Sequence, residues 1–177
     1  MNGTHVRKLV VAAMFTALAV ALSTLSFPVG ASRCFPVQHM VNVLSAVLLG
    51  PGYGVAVAFC TSLIRNLLGT GTLLAFPGSM IGALCCGLMY KYTKRLLPTY
   101  AAEVVGTGVL GGLAAYPVAA YLMGREGTIY AYILPFFVST FGGTVLASIL
   151  IGVLCKCGAL RLMQEKIGDR LSQAATR

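Results

Sequence analysis

Charged residues are scarce in this sequence, and acidic residues are the scarcest of all. Only four of the 177 residues are Asp or Glu, thirteen are Lys or Arg, and charged residues make up 10% of the chain. Average soluble domains carry about 25% charged residues. Hydrophobic residues reach 58%, which is more apolar surface than a soluble domain of this length can bury. The composition therefore predicts a membrane protein.

The few charges divide the chain into long uncharged runs. These runs are residues 9–32, 34–64, 66–90, 104–124 and 127–155. A membrane-spanning helix needs roughly 20 apolar residues, and lipid offers no partner for an exposed strand edge. Because Gly50-Pro51-Gly52 must break the second run, the five runs predict six helices. The short pair on either side of this break is either a tilted hairpin or a re-entrant pair.

We therefore predict an all-α polytopic protein in which residues 1–177 form a single membrane domain with six transmembrane helices. The predicted spans are about 7–26, 38–49, 53–67, 76–92, 101–123 and 130–155.

The basic residues indicate how these helices are oriented. With the N-terminus in the cytoplasm, ten of the thirteen fall on cytoplasmic segments, and only Arg33, Arg65 and Arg125 fall outside. Cytoplasmic loops of membrane proteins carry an excess of Lys and Arg. The pattern predicts a multi-pass protein of a prokaryotic cell membrane with both termini cytoplasmic. The net charge of +9 then reflects topology, and no nucleic-acid partner is expected.

The sequence lacks most of the motifs and residues that an enzyme or a pump uses. The sequence has no Walker A pattern, no Ser or Cys nucleophile with a His and an acid nearby, and only two histidines. We therefore expect no catalysis, no metal and no cofactor. Glu103 is predicted at the inner start of the fifth helix, which leaves no carboxylate in mid-membrane for a proton relay. Any transport is then expected to draw its energy from a partner.

Polar and aromatic residues gather at the outer ends of the predicted helices. Residues 27–38 and 66–79 are rich in loop-forming residues, and irregular backbone at membrane depth must be buried or line a cavity. Aromatic rings with a few polar groups suit a small planar ligand; for Tyr132, a place in the interfacial aromatic belt is the alternative. The predicted substrate-binding residues are Arg33, Phe35, Gln38, His39, Asn42, Arg65, Asn66, Phe76, Ser79, Tyr116, Tyr132, Phe136 and Ser139.

Small residues recur along one face of the first helix. Ala13, Ala17 and Ala21 are four residues apart, which places them in a row on a helix. Small side chains let another helix approach closely within lipid. This face is predicted to dock on another subunit, and contact with the protein's own helices is the alternative.

The segment after the last helix, residues 158–177, has a basic amphipathic pattern. Leu160, Met163, Ile167 and Leu171 alternate with Arg and Lys at helical spacing. Such a segment can lie on the inner membrane surface, and a frayed extension of the last helix is the alternative.

Several strings resemble a known family of transport proteins. Six short spans, the alanine row and the elaborate first outer loop resemble the S-components of energy-coupling-factor (ECF) vitamin transporters. A more specific resemblance is to the ThiW family. It is carried by GASRCFPVQH at 30–39, LGPGYG at 49–54, and FPGSM at 76–80, which follows Arg65-Asn66. That family is assigned to the thiamine precursor hydroxyethylthiazole. The resemblance covers about residues 6–157.

The resemblance implies how the protein works. A small vitamin precursor binds in an outward-facing pocket beneath the outer loops. The alanine face then docks on a membrane coupling subunit that is driven by two ATPase subunits. The alternatives are an S-component for thiamine or hydroxymethylpyrimidine, a small membrane enzyme, and a self-sufficient carrier.

Overall fold

The computed structural model describes residues 3–30, 32–124 and 128–167. Helices occupy all six predicted spans. They are α1 (Gly3–Ala21), α2 (Pro36–Leu48), α3 (Pro51–Leu67), α4 (Ala75–Thr93), α5 (Leu96–Leu122) and α6 (Ile133–Lys156), followed by α7 (Ala159–Ile167). A hairpin of two three-residue strands, β1 (Phe27–Val29) and β2 (Ser32–Cys34), lies between α1 and α2.

Among the described residues, three helical segments are long and apolar enough to cross a membrane. They are Gly3–Thr24, which includes a final 3₁₀ turn, Leu96–Leu122 and Ile133–Lys156. Helices α2 and α3 have 13 and 17 residues, so they rise about 20 and 25 Å, less than the roughly 30 Å of hydrocarbon. Gly50 joins them with a φ of +88°, and Pro51 begins α3, where its missing N–H is not needed. These two helices are the short pair that the sequence predicts.

Helix α2 is the centre of the bundle. Eleven of its 13 residues are buried, and it packs against α3, α4, α5 and α6. Its apolar residues form the main core cluster together with residues from α1, α3 and α6. Because α2 is surrounded by protein, its polar side chains must find their partners inside the bundle.

Helix α5 begins earlier than the sequence predicts. It starts at Leu96 instead of residue 101, and Pro98 lies in its first turn, where no N–H is required. The predicted spans leave residues 93–100 outside the helices, whereas only Lys94 and Arg95 separate α4 from α5. Gly106–Gly111 and Val118–Leu122 adopt π-helical geometry within α5.

The connection between α1 and α2 is a hairpin rather than a loop, and the sequence did not indicate it. Gly30, with φ +54°, makes the turn, and Phe27 pairs with Cys34. Three-residue strands with Pro28 in one of them give no alternating pattern to detect. Cys34, at the end of β2, is fully buried.

The described part of the tail, α7, packs on the bundle. Gly158 breaks the helix at φ +70°, so the alternative of a frayed extension of α6 is wrong. Leu160 and Ile167 join the core cluster, and Gln164 donates to the Val47 carbonyl at 3.2 Å. Met163 remains exposed, and residues 168–177, including Leu171, lie outside the described residues.

The alanine row of α1 faces outward. Ala13, Ala17 and Ala21 are all exposed, whereas Ala12 and Ala19 are buried against the bundle. The alternative in which the row packs against the protein's own helices is therefore wrong.

Close packing of α6 on α2 can be tested at Gly143. A Cβ at this position would overlap the Pro36 carbonyl and lie 2.6 Å from the His39 Cβ. Gly143→Ala should therefore destabilise the fold by about 1–3 kcal/mol, the usual range for overpacking. Gly152→Ala on the same helix is the control, because its Cβ meets nothing within 4 Å and should gain about 0.5–1 kcal/mol in helix propensity.

The measurement is thermal unfolding in detergent, followed by circular dichroism. Gly143→Ala should unfold at a lower temperature than the wild type, and Gly152→Ala at the same or a higher one. Equal unfolding temperatures for the two variants would contradict the close contact of α6 with α2.

Candidate functional site

A cavity lies between the β-hairpin and the first turns of α2, α4 and α6. Its volume is about 30 Å³, far below the roughly 300–1,000 Å³ of small-molecule pockets. A ring can therefore enter only if side chains at the rim move. The lining residues are Ser32, Arg33, Phe35, Gln38, His39, Thr72, Ala75, Ser79, Pro135, Phe136 and Ser139.

The hairpin is fastened to α6 at the edge of this cavity. The Phe35 backbone N–H donates to Ser139 Oγ at 2.7 Å, and the Cys34 thiol donates to the Pro135 carbonyl at 3.2 Å. Burial raises the pKa of the Cys34 thiol, which keeps the donor protonated. These two bonds hold Arg33 and Phe35 over the start of α2.

The opposite wall is built around the Phe136 ring. A Cβ at Gly78 of α4 would overlap this ring, so the glycine lets Phe136 lie flat against the α4 backbone. Phe136 also belongs to an apolar cluster with Leu74 and Tyr132. Phe35 and Phe136 thus give the cavity two aromatic walls.

A connected set of polar side chains begins at the wall of the cavity and continues beneath it, and we name it the α2 network. Its members are Gln38, His39 and Asn42 of α2, Ser62 and Arg65 of α3, Ser79 of α4, and Glu103 and Thr107 of α5. All eight residues are buried.

Arg65 forms one end of the α2 network. It is 1% exposed, its Nη1 donates to Gln38 Oε1, and its guanidinium carbon lies 3.7 Å from the centre of the Phe35 ring. Arg65 Nε and Nη2 have no hydrogen-bond partner among the described residues. Gln38 links Arg65 to Ser62, because its Nε2 donates to Ser62 Oγ at 3.2 Å.

Glu103 forms the other end. Its Oε1 lies 3.2 Å from His39 Nδ1, 3.1 Å from Asn42 Nδ2 and 3.1 Å from Thr107 Oγ1. Asn42 Nδ2 also lies 3.3 Å from the Ser79 carbonyl. The carboxylate therefore ties α5 to the central helix.

This position of Glu103 corrects the sequence prediction. Glu103 was expected at the inner start of its helix, exposed to the helix dipole, but it is fully buried and lies seven residues, about 10 Å, inside α5. The early start of α5 at Leu96 accounts for the difference. The prediction of no carboxylate in mid-membrane depended on Glu103 lying at the helix start, and the buried position of Glu103 removes that basis.

The structure brings together most of the predicted substrate-binding residues. Seven of them line the cavity: Arg33, Phe35, Gln38, His39, Ser79, Phe136 and Ser139. Asn42 and Arg65 lie beneath it in the α2 network.

Four predicted residues lie elsewhere. Asn66 bonds the Ser62 and Thr72 carbonyls and holds the turn after α3. The Phe76 ring pairs with Phe59, with 5.7 Å between the ring centres. Tyr132 is buried in the apolar cluster, so it is not an exposed belt residue, and Tyr116 does not line the cavity.

Comparison with known proteins identifies the family. The model of the ThiW family, described as thiamine-precursor transporter proteins, matches residues 9–157. This chain belongs to the ThiW family. The match confirms the resemblance inferred from the strings at 30–39, 49–54 and 76–80, and it confirms that the chain is not an enzyme, because the family is one of transporters.

The fold of this ThiW family member is also known from a solved structure. A chain described under "Structure and mechanism of the S component of a bacterial ECF transporter" superposes with a TM-score of 0.67 at 19% identity. The match covers 89% of this chain and 98% of the other, so the two share one fold. No curated protein sequence matches this chain.

Proposed function

We propose that this chain is the substrate-binding subunit of an ECF-type importer and that its ligand is hydroxyethylthiazole. The observation that carries the proposal is the cavity under the hairpin, which combines two aromatic walls, Phe35 and Phe136, with the polar side chains of Gln38, His39, Ser79 and Ser139. It rests on the ThiW family and on the shared S-component fold.

Hydroxyethylthiazole has the chemistry that this cavity suits. It offers a flat aromatic ring, a ring nitrogen that accepts a hydrogen bond and a hydroxyl, and it is uncharged near neutral pH. Aromatic side chains can pack on such a ring, and the amide, imidazole and hydroxyl groups can bond its polar atoms. A neutral ligand needs no carboxylate to balance it.

Thiamine is the less suitable ligand because it is a cation. Among the described residues, those that line the cavity include Arg33 but no acid. Glu103 lies below the cavity, and its Oε1 already contacts three donors. Glu126, which follows Arg125 in the sequence, lies outside the described residues. Hydroxymethylpyrimidine is neutral like the thiazole, so only a binding measurement separates these two precursors.

The energy for uptake is proposed to come from partners. The sequence has no Walker A pattern, and the exposed alanine row of α1 offers a flat surface for a membrane coupling subunit, itself driven by two ATPase subunits. The hairpin end of the bundle then faces outward and both termini face the cytoplasm. The buried Glu103 removes one argument against a self-sufficient carrier. A test of docking is therefore needed to distinguish a subunit that depends on partners from a carrier that does not.

The first prediction concerns the ligand. By calorimetry in detergent, hydroxyethylthiazole should bind more tightly than thiamine or hydroxymethylpyrimidine. Losing one hydrogen bond in a buried site costs about 1–3 kcal/mol, roughly 5- to 150-fold in affinity. At least one of Gln38→Ala, His39→Ala and Asn42→Ala should show a loss of this size.

Ser148→Ala is the matched control, because this hydroxyl bonds the Val145 carbonyl of its own helix, away from the cavity. It should bind the thiazole like the wild type. The assignment is wrong if thiamine or hydroxymethylpyrimidine binds more tightly than the thiazole, or if all three alanine variants bind normally.

The second prediction concerns the partner. Replacing Ala13 and Ala17 together by leucine adds bulk to an exposed face and should prevent close approach of the coupling subunit. Overpacking costs about 1–3 kcal/mol, roughly a 5- to 150-fold change in affinity. Uptake of labelled thiazole by cells that contain the coupling subunits should fall, while binding to the isolated protein stays unchanged.

Ala101→Leu, also at an exposed alanine but on α5, is the control and should leave uptake intact. If the double variant transports as fast as the wild type, or if the wild type takes up thiazole without the coupling subunits, the docking proposal fails.

A further inference from the structure

Glu103 has no role in the proposed function so far, although it is fully buried and directly contacts a residue that lines the cavity. Its Oε1 lies within 3.2 Å of His39 Nδ1, and the donors Asn42 Nδ2 and Thr107 Oγ1 lie at the same oxygen. An acid placed at the centre of a bundle is costly, so these contacts call for an explanation beyond packing.

The contact indicates which nitrogen of His39 carries the hydrogen. Oε1 already accepts hydrogen bonds from Asn42 Nδ2 and Thr107 Oγ1, which favours Nδ1 as the donor in the contact with His39. In a neutral imidazole the other nitrogen, Nε2, is then left with its lone pair. A neutral His39, which lines the cavity, then has an acceptor rather than a donor for a further hydrogen bond.

The surrounding backbone leaves this pair little room to move. A Cβ at Gly82 would overlap Thr107 Oγ1 and lie 3.0 and 3.1 Å from the two Glu103 carboxylate oxygens. A Cβ at Gly143 would lie 2.6 Å from the His39 Cβ. The two glycines thus let α4 and α6 close on the pair from both sides, which favours one fixed ring orientation.

We propose that Glu103 is a positioning residue that fixes His39 as an Nε2 acceptor and so makes the site select ligands that carry a hydroxyl or N–H donor. For the thiazole, that donor is the hydroxyl of the ethyl arm; this part rests on the proposed function. The same logic operates where a carboxylate orients a histidine that binds a metal or a substrate.

The tautomer can be read without any ligand. The sequence contains two histidines, His5 and His39, so His5→Gln leaves His39 as the only imidazole. Nitrogen-15 NMR of this protein, labelled at histidine, distinguishes a protonated from an unprotonated ring nitrogen. We expect the hydrogen on Nδ1 in the wild-type network and in Glu103→Gln, whose amide oxygen still accepts. Glu103→Leu should give a mixture of the two tautomers. A hydrogen confined to Nε2 in the wild-type network, or an unchanged spectrum in Glu103→Leu, would overturn the proposal.

The selectivity test compares hydroxyethylthiazole with its deoxy analogue, the ethylthiazole, by calorimetry. The wild type should prefer the hydroxyl compound by roughly 5- to 150-fold, the value of one buried hydrogen bond. Glu103→Leu should bring this ratio close to one, and Glu103→Gln should retain most of it. A purely structural role would weaken both compounds alike and leave the ratio unchanged.

Thr99→Val is the control on the same helix, because the buried Thr99 hydroxyl bonds the Arg95 carbonyl rather than the α2 network. It should keep the wild-type ratio. A wild type that binds neither thiazole contradicts the proposed function, and the tautomer spectrum then decides the role of Glu103 alone. A selective wild type whose ratio survives Glu103→Leu contradicts the proposal itself.

Discussion

The burial of α2 on all sides is the constraint on which the rest of the structure depends. This helix carries Gln38, His39 and Asn42 into the interior of the bundle. A buried polar group without a partner costs several kcal/mol in such surroundings. The neighbouring helices therefore supply partners: Ser62 and Arg65 from α3, and the carboxylate of Glu103 from α5.

These bonds also explain why the cavity lies where it does. The polar side chains of α2 begin in its first turn, and the hairpin is pinned to α6 just above it by the bonds of Cys34 and Phe35. Glycines at positions 78 and 143 let α4 and α6 approach α2 and the Phe136 ring closely. A small polar chamber with aromatic walls is thus enclosed at the end of an apolar bundle.

The sequence was informative where charge and hydropathy decide the outcome. Long uncharged runs located the helices, and seven of the cavity residues could be named because rim loops concentrate polar and aromatic side chains. The strings at 30–39 and 76–80 led to the family, which was then confirmed.

It was uninformative where tertiary contacts decide. Pro98 looked like a loop residue, but a proline is tolerated in the first turn of a helix, so Glu103 was placed too near the helix start. Strands of three residues leave no periodicity. The cavity is lined by the hairpin, α2, α4, α6 and the turn before α4, and by no residue of α5, so Tyr116 was predicted in the site although it does not line the cavity.

The most direct test of the account is the identity of the molecule that the protein retains. Cells that produce the protein should be grown with equal amounts of hydroxyethylthiazole, hydroxymethylpyrimidine and thiamine. Small molecules extracted from the purified protein are then quantified by mass spectrometry. The account predicts that the thiazole is enriched close to one molecule per protein. Enrichment of thiamine or of the pyrimidine instead, or of none of the three, would contradict it.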